Sequence, residues 1–67
     1  MKRPYYCIYF QEKDELMPSI IATKFPSKNK AMAHLLDQLK GHFLVRFTTV
    51  VTTLKGTYII DVDPYSL

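Results

Sequence analysis

Apolar residues recur along this chain of 67 residues in two rhythms, one of two residues and one of three to four, and these separate strands from helix. Residues 4–11 read Pro-Tyr-Tyr-Cys-Ile-Tyr-Phe-Gln, an aromatic and β-branched run that predicts a strand. A charged connection follows at residues 12–15. Residues 19–25 predict a second strand between Pro18 and Pro26, since proline has no N–H to give a ladder and sits best at strand ends. The two strands form a hairpin with a long loop.

Ser27 stands directly after Pro26 as a helix N-cap. Met32, Leu35, Leu36 and Leu39 then fall at i, i+3, i+4 and i+7, one apolar stripe of a helix over residues 28–40, with His34 and Asp37 away from it. Gly41 is the expected left-handed residue that ends it. Residues 42–53, rich in Thr and Val, predict one long third strand. Lys55-Gly56 marks a tight turn, and residues 57–62 predict a fourth strand stopped by Asp63-Pro64. The reading is a single α+β domain over residues 1–67 in the order ββαββ, a four-stranded antiparallel sheet with one helix packed on one face.

Alternation assigns the faces. Tyr6, Ile8 and Phe10 share one side of the first strand, and Tyr58, Ile60 and Val62 one side of the last. Both sets are expected under the helix, with Ile21 and Phe25 from the second strand. In the third strand Arg46 needs water, so Phe43, Val45 and Phe47 are expected to face the helix. Tyr5 and Tyr9 are then left on the open face with Ile20, Leu44, Arg46, Ile59 and Lys24. An apolar patch with polar tips usually marks a contact surface.

Composition narrows the function classes. A chain this short buries about 60% of its unfolded surface, which leaves little room for an enclosed catalytic cleft. With 48% hydrophobic residues and a net charge of +3, a folded domain is expected rather than a disordered one. The single cysteine, Cys7, points to a reducing cytoplasm and reads as an inert packed thiol. Cys7, His34 and His42 lack metal-ligand spacing, so no metal or cofactor is expected. No apolar run reaches membrane-spanning length, and Met1-Lys2-Arg3 leads into too short an apolar stretch to be a signal peptide.

Three features bear on chemistry. Lys24, Lys28 and Lys30 bracket the helix start, where unpaired N–H groups and the dipole favour an anion; ordinary solvated lysines explain them equally simply. His34 and His42 could be an acid–base pair, but one beside Asp37 and one at a helix C-terminus are ordinary surface histidines. The uncharged run from Thr48 to Thr53 needs a central place in the sheet or a subunit contact. Glycine-rich phosphate loops and nucleophile–base pairs are absent from the sequence.

The expected function is that of a small non-enzymatic interaction protein. It would inhibit or modulate a larger protein or protein–nucleic-acid machine, as small accessory or phage-type proteins do, an analogy at the level of overall shape. The candidate contact residues are Tyr5, Tyr9, Leu44, Arg46 and Ile59 on the sheet, and Lys24, Lys28 and Lys30 at the helix. A protein partner or a second copy of the chain is the expected occupant of the sheet face. A nucleic-acid-binding regulator is the alternative, weakened because residues 43–49 lack the glycine-aromatic motif of sheet-type RNA binders. A small ribonuclease-type toxin using His34 or His42 is a distant third.

Overall fold

The computed structural model describes residues 4–66; the basic triplet Met1-Lys2-Arg3 and Leu67 lie outside the described residues. Strands β1 (Tyr6–Glu12) and β2 (Ser19–Phe25) precede helix α1 (Lys28–Leu39). Strands β3 (Val45–Arg46), β4 (Val50–Thr52) and β5 (Gly56–Val62) follow, then a 3₁₀ turn over Pro64–Ser66. The helix packs against a five-stranded sheet of order β2-β1-β5-β4-β3, and every neighbouring pair is antiparallel. This is a small α+β fold.

The sheet therefore has one strand more than expected. The third strand reverses at Thr48-Thr49, where the Phe47 N–H donates to the Val50 carbonyl at 2.7 Å and the Leu44 N–H to that of Thr52 at 2.7 Å. Two threonines close this hairpin without the Gly, Asn, Asp or Pro that usually marks one. The fold exchanges one long strand for a short edge hairpin, and β4 gains partners on both sides.

The reversal also turns faces over. Val45 opposes Thr52, and Arg46 opposes Val51, whose side chain is fully buried in the core. Directly opposed residues share a face, so Arg46 stands on the helix side of the sheet and Val45 on the open side. Both are exposed, as is Phe47. Of the three residues expected under the helix, Phe43 alone packs against the core. Arg46 still reaches water, because it sits on an edge strand that the helix does not cover.

Strand β2 departs from simple alternation twice. Its register against β1 shifts between Tyr6↔Phe25 and Ile8↔Ala22, and again between Ile8↔Ala22 and Tyr9↔Ile20. Lys24, at φ 67°, takes up the first extra residue in the left-handed region. The insertions bring Ala22 and Phe25 to the core side, leaving Ile21, expected inside, 53% exposed. Bulges twist an edge away from further pairing.

The helix begins as read. Ser27 is extended (φ −152°, ψ 162°) and its hydroxyl accepts from the Lys30 N–H at 3.2 Å. Its end lies one residue earlier than expected: Lys40 is the left-handed cap at φ 51°, its N–H bonded to the Leu36 carbonyl at 3.0 Å. Gly41 follows at φ 86°. Met32 and Leu35 are buried beneath the helix with Ala31, and meet Ile8, Val51 and Ile60. Leu36 and Leu39 flank this cluster together with Tyr6, Ala22, Phe25, Phe43 and Tyr58. Phe10 and Tyr58, directly opposed, stack with centroids 4.5 Å apart. The helix lies over β1, β5 and β2, off the sheet's centre.

Gly56 opens β5 opposite Glu12. It is needed for close approach rather than for an unusual φ. A Cβ there would collide with the Gln11 carbonyl oxygen and come within 2.9 Å of Glu12 Cα and 3.0 Å of the Phe10 ring. Two of those obstacles are backbone, so the sheet itself would have to shift. Gly56→Ala should cost about 2 kcal/mol or more as overpacking, which for a domain of this size lowers Tm by roughly 8–16 °C. Gly41→Ala, with open space around it, should cost only about 1 kcal/mol for the left-handed backbone. Thermal melts of the two variants should rank them in that order.

Candidate functional site

The helix covers one face of the sheet, and the other carries a continuous apolar row. Tyr9 opposes Ile20 on one side and Ile59 on the other, and Ile59 opposes Val50. The row Ile20, Tyr9, Ile59, Val50 crosses four strands, a width of about 14 Å at ordinary strand spacing. All four are half-buried, each shielded by its neighbours. The next row, Gln11, Thr57, Thr52 and Val45, is uncharged. Threonines and β-branched residues here give a flat, neutral surface.

Of the five sheet residues read from the sequence, the fold brings Tyr9 and Ile59 together. Tyr5 precedes β1 at the end of the sheet. Its N–H donates to Ser66 Oγ at 2.9 Å and its carbonyl accepts from the Asp63 N–H at 2.8 Å. Its ring borders a cleft with Pro4, Lys24, Pro26 and Tyr65. Leu44 and Arg46 belong to the opposite side of the sheet, for the reason given by the β3–β4 register. Ile20 and Val50 take their places on the row.

The three lysines do not converge. Lys24 lines the Tyr5 cleft. Lys28 lies over the Tyr6 ring, its Nζ 5.9 Å from the centroid, where a cation gains from the ring quadrupole, and it borders a neighbouring hollow with Pro4 and Pro26. The Lys30 side chain is exposed, and its N–H is already bonded to Ser27. The histidines are separate as well. His34 lies against Phe25, rings 5.2 Å apart, while His42 borders a groove beside Phe43 and Leu44.

That groove, about 550 Å³, opens between the segment that leaves the helix, residues 41–44, and the β4–β5 turn. It exists because the helix sits off-centre. Leu39, Phe43, Leu44, Leu54 and Tyr58 form its walls. The apolar Leu54 beside Lys55 in the β4–β5 turn was the one trace of it in the sequence.

Cys7 and Tyr9 are coupled on the open face. Cys7 is fully buried, and its thiol donates to the Asp61 carbonyl at 3.5 Å. Burial raises the thiol above its ordinary value, and the Asp63 and Asp61 carboxylates push the same way against a hydrogen bond with Tyr9 that lowers it. The Tyr9 phenol, hydrogen-bonded with Cys7 and shielded from water, is pushed up to about 12. Both groups stay neutral at physiological pH, so this corner supplies neither a nucleophile nor a base. Among the described residues no group of three His, Cys, Asp or Glu side chains could hold a metal ion, and no helix is long and apolar enough to cross a membrane.

Comparison with protein-family models, with curated proteins and with solved structures finds no match for this chain.

The raised Tyr9 value fixes a sign. A phenol whose folded value lies above the ordinary value of about 10 stabilises the fold fully below that pH and ceases to as pH climbs towards the folded value. In a spectrophotometric titration of the native protein, Tyr9 should give an ionisation step near pH 12. Tyr9→Phe should delete that step alone. Loss of a step near pH 10 instead would place Tyr9 in an ordinary aqueous setting. Cys7 should react with thiol reagents at least ~100-fold more slowly than in the unfolded chain, because reaction needs an exposed thiolate.

Proposed function

We propose that this chain is a non-enzymatic interaction module that engages a protein partner through its open sheet face, and thereby inhibits or modulates a larger assembly. The observation that carries this reading is the cross-strand row Ile20, Tyr9, Ile59 and Val50, on a face that no second helix covers. The row is broad, apolar and neutral, with a phenol as its one polar tip. Tyrosine gives a large contact area with little rotamer entropy to lose, which is why it recurs at binding hot spots. The phenol, hydrogen-bonded with Cys7, keeps acceptor capacity for a partner and holds the ring in place.

A nucleic-acid platform needs cations beside its stacking rings. Arg46 is on the other side of the sheet, Lys28 is engaged with Tyr6 under the helix, and Lys24 borders the Tyr5 cleft at the sheet's end. These placements favour protein over nucleic acid as the occupant.

Tyr9→Ala combined with Ile59→Thr should abolish capture of the partner from the native cell, with affinity falling ~30-fold or more as for the loss of a hot spot, while circular dichroism stays that of the wild type. Oligonucleotide binding should be absent at moderate salt. Undiminished capture by the double variant refutes the reading, and oligonucleotide affinity that falls steeply with salt turns it towards a phosphate-backbone ligand.

A further inference from the structure

The end of the molecule that holds the groove also holds three strongly exposed aliphatic side chains. Glu12 opposes Gly56, so the loop after β1 and the β4–β5 turn lie at the same end of the sheet. Leu16 at the tip of that loop is 96% exposed and Met17 is 75% exposed, while Leu54 in the turn is 73% exposed. Leaving Leu and Met side chains in water forgoes roughly 1.5–3 kcal/mol each. A mobile tip could retract, but this one is braced. The Glu15 N–H donates to the Glu12 carbonyl at 3.1 Å, the Gln11 amide to the Glu15 carbonyl at 2.9 Å, and the Glu12 N–H to the Glu15 carboxylate at 3.1 Å. Pro18 stiffens the exit.

The loop and the groove are opposite in net charge. The tip follows Glu12, Lys13, Asp14 and Glu15, three acids against one base, all exposed. The groove has apolar walls with His42 and Lys55 at its rim, and no carboxylate lines it. Within one chain the loop leaves the groove open: Leu16 and Met17 stay exposed, while the groove opens beside the β4–β5 turn. A second copy, turned about a two-fold axis through this end, brings each tip to the other's groove.

We propose that two copies of this chain join end to end about a two-fold axis, the Leu16 and Met17 tip of each filling the other's groove and Asp14 of each facing Lys55 of the other. The contact is isologous, so it closes at two and does not propagate into a fibre. Apolar tips against Leu39, Phe43, Leu44 and Leu54 supply the affinity, and the charge pair sets the orientation. The braced loop has little freedom left to lose on binding. This contact uses a different surface from the open sheet face, so either can fail without the other.

Sedimentation equilibrium over a wide concentration range tests it. The wild type should move from the 7.8 kDa monomer to twice that mass as concentration rises. Leu16→Ser with Met17→Ser should weaken dimerisation at least ~30-fold, as for the loss of central anchors. These residues are exposed, so unchanged thermal melts at low concentration will show that the fold is intact. Asp14→Lys and Lys55→Asp should each weaken the dimer at low salt, and the two together should restore it. A wild type that stays monomeric, a dimer indifferent to the Leu16 and Met17 changes, or a charge swap no better than its single reversals would overturn the proposal.

Discussion

Pairing of the first strand with the last holds this molecule together. From Tyr6↔Val62 to Glu12↔Gly56, β1 and β5 form an unbroken antiparallel ladder in the middle of the sheet. Its core-side residues, Ile8 opposite Ile60, lie directly beneath the helix with Met32 and Leu35. Each outer hairpin leans on this pair, β2 on β1 and β4 with β3 on β5. Closing the ladder brings together residues from the two ends of the described chain, so its entropy must be met before most of the core can form. Gly56 permits that closure at its tightest point.

The same ladder decides where exposed chemistry lies. One helix cannot cover five strands, and it lies over β2, β1 and β5 because the connection from β2 must cross to the far edge of the sheet. Two bare regions result: the whole opposite face, and the helix side of the β3 edge beyond the buried Val51. The first is apolar along the row from Ile20 to Val50, with Gln and Thr on one side of it and Cys7 beside the exposed Asp61 on the other. The second becomes a groove because the helix ends at Lys40 and the chain then climbs past Phe43 and Leu44 to the edge. Cations fall around the rim of the groove and at the opposite end of the molecule, rather than on the flat face, which separates a surface suited to apolar contact from those suited to charge.

Much of this was legible in the sequence where periodicity was long. The helix, its Ser27 cap and its Met32, Leu35, Leu36 and Leu39 stripe follow from spacing, and the orientation of β1 and β5 from the alternation of Tyr6, Ile8 and Phe10 against Tyr58, Ile60 and Val62. What escaped was shorter than a period. A two-threonine reversal carries no turn residue, and missing it inverted the faces of Leu44, Val45 and Arg46 together, as a one-residue register error must. In β2 the bulges moved Ala22 inward and Ile21 outward, because Lys24 adopts a left-handed conformation that nothing in its residue type requires. Tyr9 and Ile59 could be read as a pair on the open face; Ile20 and Val50, which complete their row, depend on those irregular registers.

The two bare regions are also compatible in one assembly. The groove and the braced loop lie at an end of the sheet, whereas the row through Tyr9 runs across its face, so an end-to-end pair of chains leaves both faces uncovered. Such a pair would present two identical apolar rows, fixed relative to each other by folded elements rather than by a flexible linker. Against a partner with repeated subunits, the second contact becomes intramolecular, and its effective concentration is set by that fixed spacing. A single small face of about four strands gives modest affinity by itself; two held rigidly apart multiply it only for targets whose own repeat matches. Selectivity of this kind needs no deep pocket, for which a main core cluster of six buried residues leaves little volume.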